Sequence, residues 1–79
     1  MRVIIHSPNQ KIDYAKCVMV IGQNETGQFT VLPNHEDFIT ILNHGDIKIV
    51  QSNHIHVIRI VCQSITQYSR DKNICYIVI

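Results

Sequence analysis

Seventy-nine residues at a net charge of +1 leave room for one small domain, and the seven Lys and Arg are scattered, without the basic stripe that nucleic-acid binding requires. The apolar runs Cys17–Ile21 and Ile74–Ile79 are far too short to cross a bilayer, and the opening Met1-Arg2-Val3-Ile4-Ile5 is too brief for a signal peptide, so a cytoplasmic-type soluble domain is expected. Three cysteines, Cys17, Cys62 and Cys75, match neither a disulfide framework nor a zinc ligand set, which predicts buried free thiols in a reducing compartment.

Isoleucine, 15 of 79 residues, dominates the apolar set, and β-branched side chains favour sheet over helix. In chain order, Val3-Ile4-Ile5 reads as a strand closed by the turn cluster Ser7-Pro8-Asn9. Ile12 to Ile21 holds one or two strands, and its apolar stretch Cys17–Ile21 suggests a strand covered on both faces. Gly22 to Gly27 reads as a polar reversal. Phe29 to Leu32 is a short strand stopped by Pro33, which cannot donate a ladder bond. Phe38 to Leu42 has helical spacing, with Asn34 as a possible cap, but Ile39-Thr40-Ile41 and the following turn Asn43-His44-Gly45-Asp46 favour strand. Asp46 to Gln51 alternates, with Ile47 and Ile49 inward and Lys48 outward. After the turn Gln51–His54, Ile55 and Val57 share one face while Ile58 and Ile60 share the other, a change of parity that predicts a β-bulge. Ser64–Tyr68 and Ile74–Ile79 are the last strands, on either side of the polar turn Ser69–Asn73. About eight to ten short strands without a long helical period predict an all-β fold, a small β-sandwich or barrel occupying residues 1–79 as one domain.

The chemistry available to such a chain is restricted. Three glycines, Gly22, Gly27 and Gly45, cannot supply a Walker-type phosphate loop. The cysteines lie in apolar strands that suppress thiolate formation, and no serine sits in a strained elbow, so no catalytic residue is assigned. Five histidines are many for this length. The spacing His54-x-His56 puts two imidazoles on one strand face, a metal half-site that His44 or a carboxylate would have to complete. The plainer alternative places both on the solvent face of a hairpin, opposite Ile55 and Val57. His35-Glu36-Asp37 has no nucleophile beside it. A solvated loop is one reading; a polar recognition edge, stiffened by Pro33 and flanked by Phe29 and Phe38, is the sharper one.

The stretch Gly27-Gln28-Phe29-Thr30-Val31-Leu32-Pro33-Asn34-His35-Glu36-Asp37-Phe38-Ile39-Thr40-Ile41-Leu42 resembles the signature G-E-F-G-V-L-P-G-H-A-P-L-L-T-x-L of the epsilon subunits of F-type ATP synthases. Gly27, Phe29, Val31, Leu32, Pro33, His35, Thr40 and Leu42 match in place. Gly45 and Ile49 resemble the family's next turn and strand, and Val3-x-Ile5-x-Ser7-Pro8 its first. Gln28 stands where the family usually has Glu, Asn34 where it has Gly, and Glu36-Asp37 in place of Ala-Pro. Cys62-Gln63-Ser64-Ile65 replaces S-G-G-F/I, whose paired glycines would permit a close backbone approach.

The resemblance implies a β-sandwich and a non-catalytic rotor part without a cofactor. Its expected partners are the gamma subunit and the membrane ring of c subunits, with no nucleic acid and with membrane contact only through the complex. The expected location is the cytoplasmic face of a bacterial plasma membrane. By position, Glu25, Thr26, Gln28, Phe29, Pro33, Asn34, His35 and Glu36 resemble the face toward the ring and gamma, with His35 hydrogen-bonding and transferring no proton. Most family members continue into a helical hairpin that brakes ATP hydrolysis and in some binds ATP. A chain ending naturally at Ile79 would keep coupling and lack both regulatory functions.

Overall fold

The computed structural model describes residues 1–79 as nine strands in two sheets. These are β1 (Arg2–Ser7), β2 (Gln10–Tyr14), β3 (Cys17–Asn24), β4 (Gly27–Val31), β5 (Phe38–Leu42), β6 (Gly45–Gln51), β7 (His54–Ile60), β8 (Ser64–Ser69) and β9 (Ile74–Val78). One sheet has the order β2-β1-β9-β8-β5 and the other β4-β3-β6-β7. The fold is the expected all-β sandwich, and the ambiguous Phe38–Leu42 segment is a strand.

Four pairs of sequence neighbours, β1–β2, β3–β4, β6–β7 and β8–β9, form antiparallel hairpins, and β1 and β9, the first and last strands, lie side by side and parallel in the larger sheet. Alternation decides what each strand contributes to the middle. Val3 and Ile5 of β1, Ile47 and Ile49 of β6, Cys75 and Ile77 of β9 point into one shared core with Val20, Val31, Leu42, Ile60 and Tyr68.

The two open sides of the sandwich are closed by aromatic rings that reach from sheet to sheet. On one side Phe29 of β4 meets Phe38 of β5 at 5.4 Å. On the other, Tyr14 of β2 meets His56 of β7 at 4.4 Å.

Several sequence expectations are corrected. β7 pairs with β6 in unbroken register from Gln51↔His54 to Gly45↔Ile60, so it has no bulge; the shift lies in β3, between Cys17 and Met19. The parity in β7 is constant, with Ile60 buried, His56 and Ile58 half-buried on the inner face, and Ile55 and Val57 exposed on the outer one. Hydrophobicity misled here because both faces of an edge strand carry Ile or Val. β3 is fully buried on one face only; Met19 and Ile21 on the other are half-buried, and Val18 is exposed. It also runs through Gly22 to Asn24, which leaves Glu25-Thr26 as a two-residue turn in place of the longer loop. Finally, Cys17 and Cys75 are buried, but Cys62 lies exposed between β7 and β8.

Candidate protein interface

The residues expected to form one face lie along β4 and beyond both of its ends. The Glu25-Thr26 turn stands at its start, folded by Asn24, whose Oδ1 accepts hydrogen bonds from Thr26 N (3.0 Å) and Thr26 Oγ1 (2.7 Å). Asn24 Nδ2 also donates to Thr40 Oγ1 at 3.2 Å, and Asn43 Nδ2 to Glu25 Oε1 at 3.4 Å, so the turn is tied to β5 of the other sheet. Pro33, Asn34, His35 and Glu36 lie beyond the other end of β4. At the usual rise of a β-strand the two groups stand roughly 20 Å apart. Gln28 is exposed on the outer face of the four-stranded sheet, in a cleft it shares with His44, Asp46, Lys48 and Arg59.

Phe29 and His35 are occupied by internal contacts. Phe29 lies directly opposite Gly22 in the β3–β4 register, and a Cβ added at Gly22 would stand 2.6 Å from its Cζ. The ring packs over the bare glycine and onto Phe38. His35 is half-buried, edge-on to Phe38 at 5.5 Å and to Tyr68 at 6.2 Å. Its Nδ1 is 2.7 Å from the Glu36 carbonyl oxygen. A carbonyl can only accept, so Nδ1 carries a proton.

Asn34 takes φ +70°, the left-handed region that glycine tolerates best and Asn next best. Asn thus stands where the resembled signature has glycine, at a position whose backbone conformation both residues tolerate. Asn34 N donates to Tyr68 Oη at 3.0 Å, and Asp37 Oδ1 accepts from Arg70 N at 2.9 Å. The loop of Pro33 to Asp37 is thus fastened to the β8–β9 turn.

The feature that sequence reasoning missed is the outer face of the five-stranded sheet. Ile39 (66% exposed) and Ile41 (52%) of β5 stand beside Ile65 of β8, which is paired in turn with Val78 of β9; all four are exposed. Cross-strand neighbours on one face touch, so these residues form a continuous apolar surface, with Gln67 and Tyr76 in the next row. The Glu25-Thr26 turn and Gln63 border it, lining one shallow depression with Ile39, Thr40, Ile41 and Ile65. The signal was present in the sequence: Phe38-Ile39, Ile41-Leu42 and Ile77-Val78-Ile79 are apolar on successive residues, and one face of each has to point away from the core.

An exposed apolar sheet face framed by polar turns is the kind of surface at which proteins dock. The family described as ATP synthase, Delta/Epsilon chain, beta-sandwich domain matches residues 1–74, and the chain belongs to it. Among solved structures, a chain from the central stalk/c-ring of the mitochondrial ATP synthase of Tetrahymena thermophila is similar, with a TM-score of 0.83 at 14% identity. That match covers 99% of this chain and 61% of the other, and likeness at this identity concerns the fold. No curated protein sequence matches the chain significantly.

Proposed function

We propose that the chain is a non-catalytic rotor subunit of a rotary ATP synthase, joining a gamma subunit to the membrane ring of c subunits so that ion-driven rotation reaches the catalytic head. The observation that carries this reading is the apolar face of Ile39, Ile41, Ile65 and Val78 in a member of the ATP synthase delta/epsilon family. Leaving it in water forgoes the stabilisation that burial would bring, at roughly 25 cal/mol per Å² of apolar surface. A subunit that spends its working life assembled has such a face covered.

In this reading gamma lies on the apolar face, and its rim is the Glu25-Thr26 turn. The ring's polar loops meet the exposed polar groups Glu25, Thr26 and Gln28. Pro33, Asn34 and Glu36 form a second rim, held by Tyr68 and Asp37, while Phe29 and His35 keep that rim in shape from within. Torque transmission needs no proton transfer at His35 and no bound cofactor. The location that goes with this role is peripheral, on the cytoplasmic face of a bacterial plasma membrane.

The test is recovery of the tagged chain from its native membranes, with mass spectrometry of what accompanies it. Gamma and c subunits are expected with the natural sequence. Ile41→Asp should lose gamma while leaving the circular dichroism of the purified chain unchanged. Full retention of gamma by Ile41→Asp would move the docking face elsewhere, and a natural chain recovered alone would end the rotor reading.

A further inference from the structure

We propose that His54 and His56 form a two-imidazole chelate for a borderline divalent metal ion of the Ni²⁺, Cu²⁺ or Zn²⁺ type, at the free edge of the four-stranded sheet. This site is independent of the rotor reading, since the apolar face belongs to the other sheet.

The two residues are separated by one position on β7, so both side chains leave the same face of the strand. Their ring centroids are 4.4 Å apart and tilted by 52°. With His56 held by its neighbours, rotation of the exposed His54 about its side-chain torsions would bring one nitrogen of each ring to a common ion at the usual distance of about 2.0–2.1 Å. β7 ends the order β4-β3-β6-β7, and His54 is exposed, so an ion reaches the pair without opening the fold.

His56 is prepared as a ligand by its neighbours. The side-chain amide of Gln51 donates through Nε2 to the Ala15 carbonyl at 2.7 Å. Its oxygen is thereby turned toward His56 Nε2, at 2.9 Å. That oxygen can only accept, so His56 Nε2 holds a proton, and in the neutral imidazole Nδ1 keeps its lone pair for a metal. An outer hydrogen bond that sets tautomer and ring orientation is the usual support of a metal-ligating histidine. Tyr14, packed on the ring at 4.4 Å, limits its rotation further.

The donors and their supports include no carboxylate: they are two imidazoles, one amide and one phenol ring. Metals that favour imidazole nitrogen are accepted, whereas Mg²⁺ and Ca²⁺, which require several oxygen ligands, are not. Water completes the coordination shell. The other histidines lack this arrangement, since His35 uses Nδ1 on the Glu36 carbonyl and neither His6 nor His44 is stacked on a second imidazole.

The test is a titration of the ¹⁵N-labelled full chain with NiCl₂, followed by paramagnetic broadening of its amide resonances. Broadening centred on His54 and His56 at sub-stoichiometric Ni²⁺ is expected, with MgCl₂ causing none. His56→Ala should abolish it, and Gln51→Leu, which leaves both imidazoles in place, should weaken binding by about tenfold. Broadening centred on His6, His35, His44 or Cys62, or binding unchanged in His56→Ala, would overturn the proposal.

Discussion

Tyr68 shows how a single side chain serves both fold and surface. It is buried in the core. Its hydroxyl accepts from Asn34 N at 3.0 Å and donates to Asn73 Oδ1 at 2.8 Å, so one phenol fastens the β4–β5 loop and the β8–β9 turn. Thr66, two residues earlier on the same face, is as deeply buried, but its hydroxyl has no partner, and the same is true of Ser64. An unsatisfied buried hydroxyl costs roughly 1–3 kcal/mol. Thr66→Val keeps the shape and removes that cost, so it should stabilise the chain by about 1 kcal/mol. A higher urea midpoint with an unchanged slope would show it. The cysteines also divide by position. Burial, with a smaller contribution from nearby Cys17, pushes the Cys75 thiol up to about 12, while burial raises Cys17 as well. Alkylation of the folded chain at pH 8 should therefore modify Cys62 alone, and modify all three after unfolding, as read by intact mass. Because the folded chain holds the Cys75 proton more tightly than the unfolded one, this thiol's contribution to stability is complete below the ordinary thiol range. It is lost as pH rises toward about 12.

At the scale of elements, the β3–β4 hairpin depends on the absence of one side chain. Phe29 covers Gly22, and its ring then reaches across to Phe38 and closes that side of the sandwich. Gly22→Ala would force the ring aside. The expected cost is about 1–3 kcal/mol, as for other overpacked sites, measured as a lower denaturation midpoint. Sequence reasoning placed Gly22 at the start of a loop because Gly-Gln-Asn-Glu-Thr-Gly has turn composition. In the structure the glycine is a strand residue, accommodated because an aromatic ring on the partner strand replaces the missing side-chain contact. The other departures at this scale share a cause. In β5 and β7, Ile, Val and Thr occupy both faces, so composition announces a strand without saying which side is inward.

For the whole molecule, the strand segments, their turns and the all-β class were legible in the sequence, because β-branched residues and turn residues act locally. The family was legible as well. Its signature is densest in one contiguous stretch, Gly27 to Leu42, where Pro33 follows the end of β4 and Asn34 takes a left-handed backbone. Only the tertiary structure decided which sheet each strand joins, and with that the inward face of β5 and the core-side position of His56. It decided too that His35 supports a loop from within, that Cys62 is exposed, and that Ile39, Ile41, Ile65 and Val78 from three strands meet on one outer surface. Local preferences are set by a residue and its near neighbours. A face is set by which distant strands pair, which is a contest of burial across the whole chain.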